Sequence, residues 1–156
     1  MAVHTSQVLG AGVFLKTTFD QTNSTVTMAD ISGLGFSAVA NSLYEVEAYV
    51  AMRCGSNTSA GRITIAGPSG ATVCGEIRYL VASDTTSGVR VQAVQSFLAE
   101  TSLATNANSS LFYPIFARFI VSIGGTAGVV KLQFKCSTAA VVATVGAGSL
   151  VKYRAL

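Results

Sequence analysis

A period-two alternation of apolar and polar side chains runs along almost the whole chain. It leaves room for little besides β-strands. In residues 43–54 (LYEVEAYVAMRC), Tyr44, Val46, Ala48, Val50, Met52 and Cys54 fall on one face, and Glu45, Glu47 and Arg53 on the other. Residues 113–123 place Tyr113, Ile115, Ala117, Phe119, Val121 and Ile123 together. Residues 130–136 set Val130, Leu132, Phe134 and Cys136 against Lys131, Gln133 and Lys135. Side chains alternate across a strand, so such runs mark strands buried on one side. A chain built only of these packs as a sandwich or a barrel. The expected fold is all-β: an antiparallel β-sandwich or jelly roll over residues 12–156, a single domain, preceded by an extended N-terminal arm at 1–11.

Further strands are expected at 12–19, 24–30, 33–39, 61–66, 71–81, 89–95, 139–145 and 149–154. In 61–66, Ile63 and Ile65 point inward; in 71–81, Val73, Ile77 and Tyr79 share a face. Turn chemistry separates the runs. Asp20-Gln21-Thr22-Asn23 reads as one turn, Gly67-Pro68-Ser69-Gly70 as a hairpin turn, and Gly146-Ala147-Gly148 as another. Gly124-Gly125-Thr126-Ala127 reads as a tight hairpin with its glycines at positive φ. Residues 96–105 fit either a short helix or a continued strand. Turn signals at this spacing suit sandwiches and jelly rolls.

Composition narrows the partners. Charged residues are 11% of the chain and apolar residues 50%, against a usual charged share of about 25%. Such a surface belongs in a membrane or under neighbours in an assembly. Residues 111–130 have the length of a bilayer span. Arg118 would sit near its middle at a cost of about 3 kcal/mol, and Pro114 and the Gly124-Gly125 pair would break the helix. Strand and turn fit better, so no membrane is expected. The N-terminus, MAVHTSQVLGAG, has neither a basic n-region nor an apolar h-region, which implies synthesis in a cytoplasm. The net charge of +3 is scattered, with only Lys152 and Arg154 close together on one strand face. Nucleic-acid grooves cluster positive charge and interleave aromatics, so no nucleic-acid partner is expected.

Chemistry is sparse. Cys54, Cys74 and Cys136 have no CxxC spacing, and the lone His4 completes no zinc set. Cys54 and Cys136 lie in apolar registers and read as reduced, buried hydrophobes; Cys74 reads as the exposed thiol. Glu45 and Glu47 are two apart on one strand, about 6.7 Å between Cα atoms, a spacing common on solvated faces. GxSxG, the P-loop and HExxH are absent from the sequence. No catalytic residue, cofactor or metal is expected, and the chain reads as a building block more than an enzyme.

Two stretches carry a resemblance. One is Leu34-Gly35-Phe36-Ser37 followed by Ala40-Asn41-Ser42-Leu43-Tyr44-Glu45-Val46-Glu47-Ala48-Tyr49, with Gly67-Pro68-Ser69-Gly70 downstream. The other is Gly124-Gly125-Thr126-Ala127-Gly128-Val129-Val130-Lys131-Leu132-Gln133-Phe134, ending in Gly148-Ser149-Leu150-Val151. Together they resemble the β-sandwich modules of tailed-bacteriophage virion proteins, in which an AN-x-x-Y strand start, a GP turn and a late aGxxxLQF … aGSxL pair recur. The layout is also similar to trimeric jelly rolls of the C1q and tumour-necrosis-factor type. The resemblance implies a structural role on the outer capsid surface of a virion: a decoration, or cement, protein, a homotrimer whose partner is the major capsid protein. Within residues 1–11, Val3, His4, Val8 and Leu9 are the expected capsid or oligomer contacts. A tail, neck or fibre component, with or without receptor binding, is the alternative. A carbohydrate-binding module or glycosidase is a third, opposed by the absence of Trp.

Overall fold

The computed structural model describes residues 12–83, 86–105 and 109–156. The expected arm, residues 1–11, lies outside them. Twelve strands form: β1 Val13–Lys16, β2 Gln21–Asn23, β3 Ala29–Ala38, β4 Leu43–Cys54, β5 Ala60–Ala66, β6 Thr72–Ser83, β7 Thr86–Val94, β8 Thr101–Thr105, β9 Tyr113–Ser122, β10 Gly128–Cys136, β11 Ala143–Val145 and β12 Leu150–Ala155. The described residues contain no helix. An eight-stranded sheet runs β1-β12-β4-β9-β6-β7, with β11 paired to β4 and β2 to β11; a four-stranded sheet runs β3-β10-β5-β8. Each pairing in both sheets is antiparallel. This is the antiparallel sandwich that the alternation implies.

The apolar registers meet between the sheets. Val46, Val50 and Met52 of β4 and Ile115, Phe119 and Val121 of β9 face Ile63 and Ile65 of β5 and Leu132 and Phe134 of β10, all buried. Burying each such side chain stabilises the fold by about 1.5–3 kcal/mol. Tyr153 of β12 lies flat on Phe36 of β3, ring centroids 3.8 Å apart and planes 8° apart, and so ties the last strand to the opposite sheet. Cys54 and Cys136 are buried and Cys74 is exposed. A thiol reagent should therefore label one cysteine per chain in native buffer and all three in denaturant. Fast native labelling of Cys54 and Cys136 would contradict their core placement.

Several turns differ from their sequence reading. Gly124–Ala127 and Gly67–Gly70 are not hairpins: β9 and β6 belong to the large sheet, while β10 and β5 belong to the small one. Both segments cross between sheets at the same end of the sandwich. Positive φ falls at Gly33, Gly70 and Gly148, not at Gly124 or Gly125. Gly124 is required by proximity instead, because a Cβ there would stand 2.7 Å from the Gly70 carbonyl oxygen of the neighbouring crossover.

Residues 21–23, expected in a turn, form β2 against β11. The turn begins at Asn23, whose Oδ1 accepts from the Thr25 N–H at 2.9 Å, an Asx turn. Gln21 also mends the irregular β3. The β3–β10 register shifts between Lys131 and Gln133, where β3 passes through Gly33 at φ 85. There the Gln21 amide donates to the Ser32 carbonyl at 2.8 Å and accepts from the Ser32 N–H at 2.7 Å, as a strand would. Residues 96–105 form no helix: Leu98 turns the chain at φ 63, and β8 pairs with β5.

Candidate functional site

The two outer faces of the sandwich differ in kind. On the small sheet, ions and amides pair among themselves. Asp30 accepts from Lys131 and Gln133, each at 2.7 Å; Glu100 holds Lys135 at 2.5 Å and Arg62 at 2.6 Å. Among the described side chains of its strands, the exposed large apolar one is Val129.

The outer face of the large sheet is mixed. Antiparallel pairing lines its outward residues up in rows across neighbouring strands. One row is Phe14, Lys152, Glu47, Arg118, Glu76 and Ala93, reading from β1 to β7. The next is Lys16, Leu150, Tyr49, Phe116, Arg78 and Val91. A third, shorter row is Arg154, Glu45, Ile120 and Cys74. A run of four charged side chains in the first row thus lies beside a run of three apolar ones in the second.

Glu45 anchors the charges. It is a buried carboxylate on a face otherwise open to solvent. Arg118 bonds its Oε1 from a diagonal position, and Arg154 Nε donates to its Oε2 at 2.5 Å. Glu47 lies 3.5 Å from Lys152 and 3.9 Å from Arg118, and Glu76 lies 2.5 Å from Arg78. The hydrogen bond from Arg118, then that from Arg154, holds the Glu45 carboxyl below its ordinary value of 4.5. Lys135 and Arg62 do the same for Glu100, and Lys131 and Gln133 for Asp30.

All three carboxylates bind protons less readily folded than unfolded. Their contribution is therefore complete above the unfolded values and disappears as pH falls through the lower folded ones. The melting temperature should hold from pH 7 to about pH 5 and drop below about pH 4. Glu45→Gln should flatten part of that drop. A melting temperature indifferent to acid through pH 3 would contradict these pairings.

The apolar members stand proud of this network. The Tyr49 and Phe116 rings meet edge to face, centroids 5.1 Å apart and planes at 87°; they are 48% and 45% exposed. Arg53 lies over the Phe112 ring at 5.0 Å, and Lys152 over Phe14 at 5.8 Å. Leu43, Leu80, Val89, Val91 and Ile120 are also exposed. Between the ridges run open hollows. One of about 410 Å³ is lined by Glu47, Tyr49, Arg78, Phe116 and Arg118. A second of about 340 Å³ lies on the far side of the aromatic pair, against Phe112, Pro114 and Gly148. A third of about 500 Å³ lies over Cys74, Gly75, Val91 and Ile120.

Chemically, this face offers stacking edges, aliphatic patches and guanidinium donors held in fixed positions, the makings of a protein-binding surface. The described residues hold no group of three His, Cys, Asp or Glu side chains that could bind a metal ion, and no helix long and apolar enough to cross a membrane.

The residues expected to make contacts, Val3, His4, Val8 and Leu9, lie outside the described residues. The apolar outer-face residues were not singled out from sequence. Their signal was apolar side chains in a polar register: Leu43 and Tyr49 in phase with Glu45 and Glu47, and Phe116 and Ile120 in phase with Arg118.

No protein-family model matches the chain, and no curated protein does. Among solved structures, it is similar to the VP2 subviral particle of infectious bursal disease virus, at 13% identity and a TM-score of 0.25, over 92% of this chain and 37% of that one. It is also similar to the structure of the Gx strain of the same virus, at 12% identity and a TM-score of 0.26, over 92% of this chain and 36% of that one. The chain thus spans little more than a third of the length of either protein.

Proposed function

We propose that this chain is a structural virion protein that docks on the outer surface of an assembled capsid as a homotrimer and stabilises it, without enzymatic turnover. The observation that carries this reading is the contrast between the faces: self-paired ions on the small sheet, exposed Tyr49, Phe116, Ile120 and Leu43 among fixed charges on the large one. Aromatic and arginine-rich surfaces of this kind are enriched where proteins meet proteins. The resemblance of Ala40–Tyr49 and Gly128–Phe134 to tailed-phage sandwich modules supplies the virion setting. The major capsid protein is the partner this implies.

Stabilisation follows from mass action. A protein that binds the assembled shell and not its free subunits adds about 2.7 kcal/mol per site at a hundred times Kd. Repeated over a shell, that opposes the outward pressure of a packaged genome. The test is to mix the protein with undecorated, expanded capsids and pellet them. The expected result is co-sedimentation, with a raised capsid melting temperature. Protein left in the supernatant while co-purifying with tails would replace this reading with the tail, neck or fibre one. Light scattering checks the trimer: a particle of 16.0 kDa at micromolar concentration would exclude a pre-formed oligomer.

A further inference from the structure

Cys54 closes β4 in the large sheet and Cys136 closes β10 in the small one. Cys54 pairs with Ala143 and Cys136 with Gly61, and both side chains fall in the inward registers of their strands. Both are fully buried, and their Sγ atoms lie 2.7 Å apart. The Cys136 thiol also reaches the Ala60 carbonyl at 3.7 Å. Nothing separates the sulfurs, and a disulfide at about 2.05 Å needs them to close by well under an ångström. The third thiol, Cys74, is exposed on the outer face and cannot compete from there.

We propose that Cys54 and Cys136 are a redox modification site, at which a small disulfide oxidant of the oxidised-glutathione class installs a covalent clamp between the two sheets. One cysteine, as thiolate, attacks the oxidant's S–S bond, forming a mixed disulfide and releasing one reduced thiol. The other then attacks the protein sulfur of that mixed disulfide, closing the Cys54–Cys136 bond and releasing the second reduced thiol. Two protein thiols are oxidised, one oxidant disulfide is reduced, and the two protons lost by the protein thiols end on the two released thiols.

Access decides the rate. The thiolate is the reacting species, and burial, with the neighbouring Cys136 thiol, pushes the Cys54 thiol up. The closed sandwich therefore resists the oxidant. Both cysteines end their strands, where sheets fray at less cost than they unfold. Oxidation should proceed through that opening or during folding. A chain folded under reducing conditions would carry the thiols free and gain the clamp on meeting an oxidising medium. The clamp stands independently of the virion reading.

The experiment uses Cys74→Ser, which removes the exposed thiol and leaves the pair intact. The reduced protein is incubated with oxidised glutathione, in native buffer and at the midpoint of urea unfolding, and one portion of each is then alkylated in denaturant while another is returned to native buffer for melting. The expected product has lost two hydrogens, takes up no alkylating agent and yields a Cys54–Cys136 crosslinked peptide. It should form at least tenfold faster at the midpoint. The residues are 82 apart, and closing a loop of that length should raise the melting temperature by roughly 10 °C, reversibly with a strong reductant. Cys54 and Cys136 ending as separate glutathione adducts, or a crosslinked product that melts no higher than the reduced one, would overturn the proposal.

Discussion

Phe119→Ala should destabilise the protein by about 3–5 kcal/mol, lowering its melting temperature by roughly 10 °C or more. Phe119 is fully buried at 0% exposure, in the middle of β9 and flanked by Val46 of β4 and Gly75 of β6. Its ring fills the space that Gly75 leaves. A Cβ on Gly75 would stand 2.8 Å from the ring, 2.8 Å from the Phe119 Cα and 2.1 Å from the Arg118 carbonyl oxygen. Gly75→Ala should therefore be at least as damaging, since the last two atoms belong to a paired strand that cannot retreat. This makes the pair diagnostic. If the ring were the main obstacle, Phe119→Ala would rescue Gly75→Ala. With backbone in the way, the double variant should be less stable than either single one. Urea unfolding followed by circular dichroism measures all three; a double variant as stable as Phe119→Ala alone would show the backbone contact to be unimportant.

The alternation made the core legible before any strand was placed. Every residue assigned inward on β4, β9 and β10 is buried, because the period-two rule depends on the residue alone and not on its partner. Partner choice is another matter. Gly124-Gly125 announces that the chain reverses, not whether the next strand joins the same sheet. The decision rests on contacts far apart in sequence, such as Val46 against Phe119 and Phe134 against Ile63. Gly75 falls inside the expected strand 71–81, and only the close backbone of β9 with the packed ring of Phe119 explains it. The outer face was half legible. Tyr49 and Phe116 each sit out of place in a polar register, yet no local rule shows that they meet edge to face across two strands.

That meeting is where binding should concentrate. Tyr49→Thr and Phe116→Thr should each weaken association with capsids about 30-fold, from a loss of about 2 kcal/mol at a binding hot spot. Threonine keeps the β-branched shape a strand prefers, and both positions are about half exposed. Losing the edge-to-face contact should cost the fold only about 0.5–1.5 kcal/mol, a few degrees of melting temperature. The control lies on the opposite face. Lys131→Ala removes an exposed ion pair with Asp30, worth at most about 1 kcal/mol to stability, and should leave binding unchanged. The comparison separates two ways of being sticky. A generally apolar chain would lose a little affinity with each substitution wherever it lay. A chain with one built face loses most of it at Tyr49 and Phe116 and none at Lys131. Sedimentation with capsids over a concentration series reads the difference, and equal binding by all three variants would remove the large sheet's outer face from the interface.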